Sequence, residues 1–62
     1  PDPVLKTAVE IGKLAVGQVL EVLADDPAAE EDIQSWARTT GQQLLQLYKE
    51  GNLYRFLIKK VR

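Results

Sequence analysis

The sequence predicts a small two-layer α/β fold, with helices on one face of a sheet and elements in the order α-β-α-β-β. Three observations carry that prediction. Two segments with apolar residues at helical spacing each open on an Asp-Pro pair, Asp2-Pro3 and Asp26-Pro27. A short apolar, β-branched run over residues 19–24 separates them. The C-terminal third holds two strand-like runs joined at Glu50-Gly51-Asn52, a hairpin signal. Helix, strand and helix in succession belong to a βαβ arrangement with the helices on one side of the sheet. That arrangement lacks its opening strand, so an edge strand is expected ahead of Pro1.

Asp2 suits the N-cap of the first helix, and Pro3 suits its first position, where no amide bond is lost. Val4, Leu5, Ala8, Ile11, Gly12 and Ala15 then recur on one face, with Lys6, Glu10 and Lys13 on the other, and Gly17 closes the segment. Residues 19–24 read as a largely buried strand. In the second helix Asp26 caps and Pro27 occupies the first turn. Glu30, Glu31 and Asp32 add negative charge near the positive helix end. Ala29, Ile33, Trp36, Ala37 and Thr40 form its core face, and Gly41 ends it. Strands over 43–49 and 53–61 follow.

Composition excludes several chemistries. The 62 residues contain no Cys and no His, so they hold no disulfide, thiolate nucleophile, zinc-thiolate site or imidazole base. No apolar run reaches the roughly 20 residues of a membrane span, and no signal peptide is visible. The chain reads as a soluble, cytoplasmic module. A chain this short buries only about 60% of its unfolded surface, so its stability is expected to be marginal. Charge is uneven: residues 1–32 hold two basic against eight acidic groups, a net of −6. Residues 33–62 hold six basic groups against Glu50 alone, a net of +5. Such an imbalance fits either a two-faced surface that steers partners or simple helix-dipole placement.

The ordered set Ala24-Asp25-Asp26-Pro27, Asp32-Ile33, Gly41 and Leu44-Leu45 resembles the TusA-like (SirA-like) sulfur-carrier family. Gly17, Leu20-Glu21-Val22 and the ending from Gly51 to Lys60 fit the same pattern. The family's defining motif is Cys-Pro-x-Pro at the start of the first helix. Pro1-Asp2-Pro3 matches its last three positions, which places the expected cysteine immediately before Pro1 and the family's first strand further upstream. The chain is thus expected to be a single domain, 1–62, truncated at its N-terminus. A cysteine-less member that begins at Pro1 is the rival account.

The resemblance implies a two-layer sandwich, two helices on one face of a four-stranded mixed sheet, like the C-terminal domain of bacterial translation initiation factor three. It implies a carrier that accepts persulfide sulfur on its cysteine and passes it on. The donor would be a cysteine desulfurase or rhodanese-like protein, the acceptor another sulfur-relay protein, and one pathway end thiolation of the tRNA wobble uridine. No cofactor is called for. A thiol at a helix N-terminus would meet the positive end of the dipole and unpaired amides, which favour the sulfur anion. Pro1 and Pro3 would position it, and Asp2 sits between them. Asp25, Asp26, Pro27 and Asp32 are structural in this reading. The 62 residues as they stand cannot perform the transfer, and the alternative is a cysteine-less or fused, non-catalytic interaction module.

Other groupings are weaker. The acidic residues 25–32 lack the alternation and central Gly of a calcium loop, and nothing suggests a carboxylate pair for acid-base work. Arg55, Lys59, Lys60 and Arg62 flank Tyr54 and Phe56, but alternation turns Tyr54, Phe56 and Ile58 to one face and Arg55, Leu57 and Lys59 to the other. The aromatics therefore pack under the helices, which speaks against direct RNA binding. The opposite sheet face, with Val19, Glu21, Leu23, Tyr48, Leu53, Arg55, Leu57 and Lys59, is mixed but rather apolar and is the expected partner surface.

Overall fold

The computed structural model describes residues 2–62. The elements are α1 (Pro3–Gly12), β1 (Val19–Ala24), α2 (Ala28–Thr40), β2 (Gln43–Glu50) and β3 (Leu53–Lys59). The predicted order and the two-layer architecture both hold. Strand order is β1-β3-β2, so the last strand is central. Pairing among the described residues is antiparallel throughout. A mixed sheet would require a further strand.

The sheet turns Leu20, Val22, Tyr54, Phe56, Ile58, Leu44 and Leu47 toward the helices. Phe56, Ile58 and Tyr54 are buried there with Ile11, Ala29 and Ile33. Alternation along β3 is strict. Alternation along β2 is not, because a register shift between Leu44 and Gln46 inserts Leu45 as an extra residue. The bulge lets Leu47 reach the core and leaves Leu45 exposed. The hairpin loop is Gly51-Asn52, and Gly51 at φ +60° supplies the positive torsion that a II′-type turn needs at its first position. β2 runs one residue longer than the sequence suggests, and β3 ends two residues sooner.

The two helices follow the predicted caps more closely than the predicted faces. α1 buries Thr7 and Ile11, with Val4 and Leu14 packed beside them. Leu5 is 64% exposed and Val9 51%, and Ala8 also faces outward. Leu5 and Ala8 were expected inward, so this is a correction. The spacing 4, 7, 11, 14 is the better helical stripe, and it was hidden because Thr7 does not look apolar. Its hydroxyl donates to the Pro3 carbonyl at 2.6 Å, which removes the penalty for burying it. α1 also ends early, at Gly12, and the chain turns through Gly17 at φ +95°, so Ala15 lies outside the helix. In α2, Ala29, Ile33 and Ala37 are buried and Trp36 is half-buried against the core, as expected.

Packed helices sit about 8–10 Å apart while strands sit about 4.8 Å apart, so two helices cover roughly four strands. Three are present. α1 consequently overhangs the free edge of β1, above a cleft of about 260 Å³ lined by Pro3, Lys6, Thr7, Glu10 and residues 20–23. Leu20 and Val22, whose side chains face the helices, stay only half-buried beside that cleft.

Candidate functional site

The site is built where the first helix begins. Pro3 sits at the first helical position and Asp2 is the N-cap. Asp2 Oδ1 accepts the amides of Val4 at 2.8 Å and Leu5 at 3.4 Å, and the Asp2 carbonyl accepts that of Lys6 at 3.0 Å. Pro3 has no N–H to offer. The expectation of unpaired amides at this terminus is therefore corrected: the donors of the first turn are already taken, two of them by a carboxylate. Pro1 lies outside the described residues.

The second helix begins beside the first. Asp26 Oδ1 accepts the Ala28 amide at 2.9 Å, and its carbonyl accepts that of Ala29 at 2.9 Å. Pro27 already has helical torsions, so Asp26 acts as the cap, as expected from the sequence. A shallow depression brings Asp2, Pro3 and Lys6 together with Leu23, Asp25 and Asp26. Asp32 lies in the groove between the helices with Asp2, Val4 and Trp36. Pro27 faces the other way, with Asp25, Lys49, Asn52 and Tyr54. The structure thus gathers Asp2, Pro3, Asp25 and Asp26 at one end of the sheet and leaves Pro27 on the far side of the turn. Among the described residues no group of three His, Cys, Asp or Glu could hold a metal ion.

The residues expected to form a partner surface lie on the open sheet face. Tyr48 pairs directly with Arg55 across the β2–β3 ladder. Arg55 ion-pairs with Glu21 at 3.6 Å and Glu50 at 3.9 Å, and its buried Nε has no hydrogen-bond partner. Tyr48 Oη is hydrogen-bonded to Gln46 Oε1. Leu57 is half-buried and Lys59 exposed, and around them Val19, Leu23 and Leu53 are exposed. Leu45 was missed because a bulge breaks the two-residue period on which the face was read. The outward apolar ridge of α1, Leu5 and Val9, was missed for another reason: Leu5 was assigned to the core and Val9 to neither face. Among the described residues no helix is long and apolar enough to cross a membrane.

Residues 1–60 match the family described as sulfurtransferase TusA. The sulfur carrier protein TusA of Allochromatium vinosum is 38% identical over 60 residues, which cover 97% of this chain and 79% of that protein. A putative sulfur carrier protein of Archaeoglobus fulgidus is 40% identical over 63 residues, covering all of this chain and 82% of its own. A putative sulfur carrier protein of Aquifex aeolicus is 43% identical over 60 residues, but the match spans only 30% of that longer protein. From Pro1 to Lys60, this chain belongs to the TusA sulfurtransferase family.

Proposed function

We propose that this protein is a sulfur carrier that relays persulfide sulfur between proteins, on a cysteine immediately before Pro1. The observation that carries the reading is the family match over residues 1–60, and the Asp2-capped start of α1 at Pro3 supports it. The names of the Allochromatium and Archaeoglobus relatives support it. In the transfer, the carrier thiolate attacks the outer sulfur of the donor's persulfide. The donor's S–S bond breaks, a new S–S bond forms on the carrier, and the donor cysteine leaves as thiolate. The proton given up by the carrier thiol balances that thiolate, and no oxidant or reductant is consumed.

Residues 1–62 are one domain in this reading, completed by a strand ahead of Pro1 that fills the cleft under α1. Pro1 and Pro3 fix the turn that presents the thiol, while Asp25, Asp26, Pro27 and Asp32 shape the second helix start. The donor is a cysteine desulfurase or a rhodanese-like protein and the acceptor a further relay protein in the cytoplasm, with tRNA wobble-uridine thiolation or other sulfur metabolism as the destination. Tyr48, Arg55, Leu57 and Lys59 belong to the surface on which one of them docks. That exposed, partly apolar face also favours a second reading, a non-catalytic interaction module.

The test uses the protein with its natural residues ahead of Pro1. Incubated with a cysteine desulfurase and free cysteine, it should gain one sulfur atom by intact mass, removable by reductant. No gain, and no cysteine before Pro1, would leave the interaction module.

A further inference from the structure

β3 runs down the middle of the open sheet face and turns Leu53, Arg55, Leu57 and Lys59 outward, away from the helices. Across the ladders Leu23 and Tyr48 flank Arg55, Glu21 flanks Leu57, and Glu50 flanks Leu53. Val19, Leu23, Tyr48 and Leu53 are exposed, so apolar surface lies open to water around the central arginine. The charges of the face balance, Glu21 and Glu50 against Arg55 and Lys59. Neither carboxylate satisfies Arg55 within the chain. Its Nε lies 3.6 Å from Glu21 and its Nη2 3.9 Å from Glu50, both too long for a hydrogen bond, and the buried Nε has no other partner. A face with both signs in equal number offers no net complement to a strongly acidic or strongly basic protein. It does offer one to itself.

We infer that this face docks on the same face of a second copy of the chain, in a weak two-fold dimer whose sheets stack about 10 Å apart. The register selects the axis. A two-fold that lies between the sheets and crosses β3 at right angles between Arg55 and Leu57 sets Arg55 opposite Leu57 of the second copy and Lys59 opposite its Leu53. β1 then stacks on β1 and β2 on β2. Glu21 of the second copy comes beside Arg55, and Glu50 of the second copy beside Lys59. Two Arg55 and two Glu21 thus alternate in sign around one square. An axis along β3 would set Arg55 against Arg55, which like-charge repulsion disfavours. Three strands about 4.8 Å apart and about 20 Å long give a footprint of about 300 Å², small beside the roughly 800 Å² per partner of a standard interface. Association is therefore weak and reversible. The inference goes beyond the carrier reading and uses no thiol; a donor that docks on this face has to displace the copy.

The experiment is sedimentation equilibrium of the protein with its natural residues ahead of Pro1, from about 10 μM to about 1 mM and at low and high salt. The mean mass should rise with concentration from one copy toward two, more steeply at low salt. Arg55→Glu puts four carboxylates on the square and Glu21→Arg puts four cations there, and each should weaken association by about tenfold or more. The double variant, Glu21→Arg with Arg55→Glu, restores the alternation and should recover it. An equimolar mixture of the two single variants should associate although neither does so alone, since one supplies the acidic pair and the other the basic pair. Leu5→Ser, on the outward ridge of α1, should leave the mass curve unchanged. Melts at about 10 μM, where the protein is a single copy, show that the variants fold. Should Arg55→Glu not fold, Glu21→Arg carries the same test at a side chain that is 53% exposed. A single copy up to about 1 mM, an association that the single charge reversals leave untouched, or a mixture and a double variant that both stay single overturns the inference. Sulfur gain by a protein that stays single would leave the carrier reading standing and remove this one. A dimer without sulfur gain would do the reverse.

Discussion

Each helix of this protein opens on an Asp-Pro pair, and in each the aspartate Oδ1 accepts a first-turn amide at nearly the same distance, Val4 at 2.8 Å and Ala28 at 2.9 Å. Beyond that first turn the two diverge. α2 adds Glu30 and Glu31 to its start, buries Ala29, Ile33 and Ala37, and ends in a left-handed Gly41. α1 has no acidic residue in its first turn, buries Thr7 and Ile11 alone, and ends on Lys13 in ordinary right-handed torsions. It also hangs over the edge of the sheet. The same local signal therefore rests on unequal tertiary support. α2 is framework, and α1 rests on less of it.

The contrast can be broken most strongly in the core. Ile33→Ala should cost about 2–5 kcal/mol, because the side chain is fully buried between α2 and the sheet. Val4→Ala, at the half-buried start of α1, should cost less, and equal losses in urea unfolding would erase the distinction. The helix ends come next. Gly41→Ala forces φ +78° on a residue with a Cβ and sets that carbon 2.9 Å from Arg62 Nε, so a loss of about 1–2 kcal/mol is expected. Lys13→Ala, at the corresponding end of α1, should stay within about 0.5 kcal/mol in the same thermal melts. Asp26→Ala should lose about 1 kcal/mol of capping and Asp26→Asn almost nothing. A Tm series of the two variants reads that difference directly. The smallest effect is expected away from both helices. Arg55→Gln breaks two exposed, long ion pairs with Glu21 and Glu50, each worth about 0–1 kcal/mol, and melts at low and high salt should barely differ.

Much of this was legible in the residues because the punctuation is strong. Asp-Pro pairs, Gly41 and Gly51 fix where elements start and stop, and the run over residues 19–24 is bounded as expected. What escaped reading has a common physical origin. A pattern argument sorts residues by polarity, and Thr7 is buried by virtue of one hydrogen bond to Pro3 that polarity does not reveal. Leu45 is exposed by virtue of one inserted residue that a strict period cannot represent. The start of α1 was read as both capped by Asp2 and open to an anion, and only the geometry shows that the first excludes the second.

The C-terminal end of the chain is clasped by Gln42. Its side chain accepts the Val61 amide at 2.7 Å and donates to the Arg62 carbonyl at 2.6 Å. Gln43 and Val19 both pair with Lys59 at that end of the sheet, whereas Leu23, Asp25 and Asp26 border the start of α1 at the other. Six strand residues separate the two ends, about 20 Å. Anything joined after Arg62, a purification tag or a second domain, leaves from an anchored stub on the far side. It trails the molecule like a tow line, and the start of α1 stays clear of it.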